Sequence, residues 1–95
     1  MTRHVFAPRA FQDMERLTDF LLESDPAAAE AAADILIDGL KILQSHPLVG
    51  RPVEHGYREM LISRGRTGYI ALYRYDAFKD IALILVVRHQ REVDS

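Results

Sequence analysis

The chain is 95 residues long, 48% hydrophobic and 27% charged, with no cysteine and a formal net charge of −2. That length accommodates one domain whose core buries roughly 60–68% of the unfolded surface, and the composition is that of a globular protein rather than a disordered tail. The absence of cysteine excludes a disulfide framework, a thiolate nucleophile and a cysteine-ligated zinc site.

The longest uninterrupted apolar run, "IALILVV" (81–87), falls well short of the roughly 20 residues that a membrane helix needs. The N-terminus carries neither a basic region followed by an apolar core nor a small-residue cleavage pattern, so a cytoplasmic protein with no membrane partner is expected. Charge is uneven along the chain. Residues 1–50 hold four basic and eight acidic side chains, residues 51–95 eight basic and six acidic, and seven of those eight are arginine. Such a mild positive balance suits an anionic partner but does not identify a nucleic-acid binder.

In chain order, "HVF" (His4 to Phe6) is a candidate edge strand over about residues 3–7. Pro8 then sits where a first helical turn tolerates proline, and Phe11, Met14, Leu17 and Leu21 recur at helical spacing, which predicts a helix over about 9–23. Asp25 as N-cap and Pro26 at the first position open a second helix to about residue 44, with an apolar stripe of Ala29, Ala33, Leu36, Leu40 and Leu43. The alanine run reads as helix-packing surface, and Gly39 marks a close contact. The segment "HPLVGRPVEHGY" (46–57) reads as a joint: Pro47 stops the second helix, Gly50 allows tight backbone, Pro52 stiffens the crossing, and Arg51 fastens it to a carboxylate or carbonyl. His46 is expected to cap helix carbonyls.

After the joint the period changes. "REMLIS" (58–63), "YIALYRY" (69–75) and "IALILVVR" (81–88) are strand-length runs joined by "RGRTG" and "DAFKD", which predicts a three-stranded antiparallel meander. The middle run places Tyr69, Ala71, Tyr73 and Tyr75 on one face, and the last run is apolar on both, as a strand covered by helices on either side would be. The expected fold is α+β in a single domain over 1–95: an N-terminal edge strand, a two-helix hairpin and the meander, with the helices on one face of the sheet.

No motif settles the chemistry. Ser45 or Ser63 can be combined on paper with His4, His46, His55 or His89, but nothing resembles a nucleophile elbow. His46, Glu54 and His55, or Asp34 and Asp38, lack metal-ligand spacing, and no nucleotide-binding glycine loop is present, so neither a metal nor a cofactor is implied. What stands out is the arginine set: Arg51, Arg58, Arg64, Arg66, Arg74, Arg88 and Arg91, whose forks suit phosphates and carboxylates, with tyrosine faces nearby.

The order of strand, helical hairpin, "HPLVGRP", "YREMLISRGRTGYIALYRY" and a last strand closing in "VVRHQRE" resembles the RelE/ParE superfamily of type II toxin-antitoxin toxins over nearly the whole chain. The resemblance implies a growth-inhibiting toxin neutralised by a cognate, ParD-like antitoxin. RelE-like members cleave messenger RNA on the ribosome, and for that activity Glu59, His89 and Arg91 would be the base, acid and phosphate clamp. ParE-like members are not enzymes and poison DNA gyrase. The chain has only two lysines, Lys41 and Lys79, and reads Tyr69-Ile70-Ala71-Leu72-Tyr73 where RNA-cleaving members read Tyr-Arg-Leu-Val-Tyr, so the resemblance favours the ParE-like branch. On that branch no catalytic residue and no sequence-specific DNA binding by this chain alone are expected. Arg64, Arg66, Arg88, His89 and Arg91 are the candidate target contacts.

Overall fold

A computed structural model describes residues 1–62 and 68–90. Strand β1 (Arg3–Phe6) leads into helices α1 (Pro8–Ser24) and α2 (Pro26–Leu40), followed by β2 (Arg51–Pro52), β3 (Arg58–Ile62), β4 (Tyr69–Asp76) and β5 (Ile81–His89). Among the described residues the strands form one mixed sheet in the order β1-β5-β4-β3-β2, with β1 parallel to β5 and the other neighbours antiparallel. The α+β architecture is as expected, with one addition: the joint contributes its own two-residue edge strand, β2.

Local chemistry sets the helix boundaries. Ala7 is extended and Pro8 begins α1. At the turn into α2 the Asp25 carboxylate accepts the Ala28 N–H at 3.1 Å and Pro26 takes the first position, so orphan donors are satisfied without a loop. The α form ends at Leu40 rather than near residue 44, and Lys41–Gln44 tighten into a 3-10 helix well before Pro47. His46 closes it with its backbone N–H on the Ile42 carbonyl at 2.8 Å, and its side chain is exposed rather than capping.

The expected stripes are buried at Leu17, Leu21, Ala29, Leu36, Leu40 and Leu43 and depart by one position at Phe11 and Ala33. Ala10 and Ala32 are buried, whereas Phe11 is 57% exposed and Ala33 is exposed. Small residues face inward where the helices meet each other and the sheet, because a close approach there buries more than one outward-turned phenylalanine would. At Gly39 a Cβ would stand 2.4 Å from Ile62 Cγ2, so α2 rests on β3 through a missing side chain.

Both helices cover one face of the sheet. Tyr69, Ala71 and Tyr73 of β4 and Ala82, Ile84 and Val87 of β5 are buried beneath them. Ile81, Leu83 and Val86 on the opposite face are half-buried, and among the described residues no helix lies above them, so within those residues β5 is not covered on both sides. A register shift between Leu72 and Tyr73 pairs Leu72 with Val86 but Tyr73 with Ile84, leaving Leu85 as the extra residue of a bulge. A strand alternates its faces with period two, and one inserted residue reverses the alternation beyond it. The inward set therefore passes from Ala82 and Ile84 to Val87 and His89, and Arg88 turns outward.

The β4–β5 turn is tied to the chain start. Asp80, in the left-handed region at φ 53, accepts from the Thr2 hydroxyl at 2.6 Å and the Tyr75 hydroxyl at 2.7 Å. Those bonds, Thr2 first, hold its carboxyl below the ordinary 3.8. A depressed folded-state pKa means that the stabilisation is complete above the unfolded value and is lost as pH falls through the lower folded one. Comparing thermal unfolding of the wild type and Asp80→Asn should thus show a destabilised variant at neutral pH and a shrinking difference well below pH 3.8.

Candidate functional site

The joint is built around one buried phenol. Tyr73 is fully buried, and its hydroxyl donates to the Pro47 carbonyl at 2.8 Å while accepting the Gly50 N–H at 2.8 Å. A Cβ at Gly50 would lie 2.6 Å from the Tyr73 ring, so glycine is required where the chain crosses it. Arg58 adds a second clasp, its Nη1 donating to the carbonyls of Leu48 at 3.0 Å and Gly50 at 2.8 Å. Arg51 reaches Glu59 at 2.9 Å across the β2–β3 pair, with Pro52 beside it on the edge strand. That contact is exposed, and solvent screening leaves it weaker than the Tyr73 and Arg58 bonds.

Next to the joint lies the uncovered face of the sheet. Register aligns Arg51, Glu59, Leu72 and Val86 in one row across it and Leu61, Ile70 and Arg88 in the next. Arg88 is exposed, and Arg74 on the same face stands 5.9 Å from the centre of the Tyr57 ring. The result is a half-apolar surface studded with guanidinium groups, suited to carboxylate or phosphate recognition.

The sequence-predicted site residues do not all reach it. His89 is fully buried on the helix side, edge-on to Tyr69 at 5.1 Å between ring centres and 6.1 Å from Phe20. It offers no surface to a partner in this structure, because the bulge turns it inward. Glu59 and His89 consequently lie on opposite faces of the sheet. Arg64, Arg66 and Arg91 lie outside the described residues. Among the described residues no group of three or more histidine, aspartate or glutamate side chains could hold a metal, and no helix is long and apolar enough to cross a membrane. Burial raises the Tyr69 phenol, with the Asp25 charge adding to it.

Sequence reasoning missed Asp13. It is 2% exposed on α1, ion-paired with Arg16, and its Oδ2 accepts the Val87 N–H at 3.0 Å. Arg16 Nη2 donates to the Val87 carbonyl at 3.3 Å. Because β1 pairs with β5 only as far as Ile84, this pair occupies the backbone edge that a neighbouring strand would have filled. An acidic residue three before an arginine, inside an apolar helical stripe, was the available signal.

A family model described as ParE toxin of type II toxin-antitoxin system, parDE, matches residues 5–94. The chain is 34% identical over 85 residues to Toxin RelE3 of Caulobacter vibrioides, covering 90% of both proteins. It is 38% identical over 66 residues to Toxin RelE1 of the same organism, covering 70% of this chain and 71% of that one. Among solved structures, a chain of the chromosomal ParDE system from P. aeruginosa superposes with a TM-score of 0.75 at 22% identity, over 94% of this chain and 96% of that one, a likeness of fold. A chain of the RelBE2 toxin-antitoxin complex from Mycobacterium tuberculosis gives 0.60 at 26% identity, over 94% and 98%.

The pinning of β5 can be checked without reference to any relative. Asp13→Ala leaves the Val87 N–H unpaired in the interior and should cost about 1–3 kcal/mol in urea unfolding, while Asp13→Asn, which retains an acceptor oxygen, should cost less. Tyr73→Phe, which strips both bonds from the joint, should fall in the same range of about 1–3 kcal/mol.

Proposed function

Because this chain belongs to the ParE toxin family of type II toxin-antitoxin systems, within the RelE/ParE superfamily, we propose that it arrests growth by poisoning DNA gyrase without itself being an enzyme. A cognate, ParD-like antitoxin holds it inactive by direct binding, and both encounters take place in the cytoplasm. The observation that carries this reading is the separation of Glu59 from His89. An acid and a base that move protons on one phosphodiester must both come within hydrogen-bond reach of it. Here the sheet stands between them and His89 has no exposed surface. The lysines add nothing to a cleavage face: Lys41 follows α2 and Lys79 sits in the β4–β5 turn. Arg88, exposed on the uncovered sheet face beside Leu61 and Ile70, is the described residue best placed to grip the target.

A second reading, a ribosome-dependent mRNA interferase, is favoured by the names of the relatives, Toxin RelE3 and Toxin RelE1. It would need an acid-base pair other than Glu59 with a buried His89.

Supercoiled plasmid incubated with gyrase, ATP and the purified protein should accumulate linear DNA, and added antitoxin should abolish it. Arg88→Ala should lower the linear product roughly tenfold with an unchanged melting temperature, since exposed substitutions usually alter stability by less than about 0.5 kcal/mol. Unchanged plasmid from a protein that does arrest growth would transfer the reading to ribosomal mRNA cleavage.

A further inference from the structure

The uncovered face ends, at the β4–β5 turn, in a groove of about 810 Å³. Its floor is Val5, Ile81 and Leu83, its rim carries Arg3, Arg74 and Lys79, and Phe78 stands at its mouth. Phe78 is wholly exposed, with a relative accessibility of 104%. The turn that presents it is held in shape: the Asp76 carboxylate accepts the N–H groups of Phe78 at 3.0 Å and Lys79 at 3.2 Å, and Asp80 is engaged by Thr2 and Tyr75. Both carboxylates of the turn accept hydrogen bonds within it, and Asp76 also lines the groove. Among the described residues no carboxylate forms a salt bridge with Arg3, Arg74 or Lys79. Three cations without an ion pair, against the one carboxylate of Asp76 that only backbone N–H groups engage, therefore line an apolar hollow with a preorganised aromatic anchor.

We propose that this groove is a docking site for the antitoxin, taking an acidic segment that also carries apolar side chains. The proposal rests on the toxin-antitoxin reading above. Charge complementarity selects the occupant. A second copy of the chain would bring the same cations against each other, and like charges across an interface oppose association. A nucleic-acid backbone could satisfy the rim, but the aliphatic floor offers phosphate no donors and Phe78 would stay in water. A permanent partner also fits better than a transient one, since long-lived interfaces are the more hydrophobic class. A rigid aromatic side chain seated in a pocket is the kind of residue on which such binding energy concentrates.

The test uses the full chain and the antitoxin encoded in its own operon, with Phe78→Ser and Lys79→Glu. Both side chains are exposed, so folding should be retained, which circular dichroism checks. Each variant expressed alone should still arrest growth. Its affinity for purified antitoxin, measured by calorimetry, should fall roughly tenfold or more, and co-expressed antitoxin should rescue growth less well. Unchanged affinity in both folded variants would overturn the proposal. So would loss of growth arrest at full antitoxin affinity, which would give the groove to the target, or loss of plasmid binding in a gel shift at full affinity, which would give it to nucleic acid. A wild type that binds antitoxin through the groove yet never arrests growth would strike the functional reading alone, because the affinity measurement does not depend on toxicity.

Discussion

The hydrogen bond from the Val87 N–H to the Asp13 carboxylate fixes the strand on which the rest of the molecule is arranged. β5 lies between β1 and β4, yet β1 ends opposite Ile84 and leaves Leu85 to His89 with no neighbouring strand on that edge among the described residues. An unpaired N–H and carbonyl in the interior would be costly. Asp13 and Arg16 supply an acceptor and a donor from α1 at that point, so a helix completes the ladder that a strand began. The same bonds hold the chain just past the bulge at Leu85, where the faces exchange. The outward position of Arg88 and the inward position of His89 both follow from that exchange.

The second constraint is the Tyr73 phenol. One hydroxyl gathers Pro47 and Gly50, and Arg58 holds the carbonyls on either side. A crossing of this kind needs backbone groups satisfied by side chains, because its own turn is too irregular to pair them. Tyr73 also belongs to the buried core cluster, so the joint and the core share one residue and are stabilised together. Both helices are consequently committed to one face, and the other stays open.

That open face is where the chemistry available to the molecule is concentrated, and it has two ends. Towards the end of β5 it carries Arg88 beside Leu61 and Ile70, and towards the β4–β5 turn it carries Arg3, Arg74 and Lys79 around an aliphatic hollow. On the proposed reading the two ends serve different partners: a target met briefly through guanidinium contacts, and an antitoxin held longer through apolar ones. A long antitoxin segment that follows the face from one end to the other would then cover the target contact while anchored elsewhere, which is neutralisation without any change of fold.

The residues by themselves determined the α+β order, the Asp25-Pro26 start of α2, the close contact at Gly39 and the strand runs, because each depends on local propensity, capping or hydrophobic period. The joint was legible too, since proline and glycine act on their own backbone. The β2 pairing, the outward turn of Phe11 and Ala33 and the open outer face of β5 were not legible, because they depend on which surfaces meet. Alternation along "IALILVVR" carries no mark of where an extra residue will be inserted, and a shift of one reverses every side chain beyond it. The sequence therefore named Arg88 and His89 as one patch. Period two already places such neighbours on opposite faces, and the bulge at Leu85 decided that Arg88 went to the surface and His89 into the core.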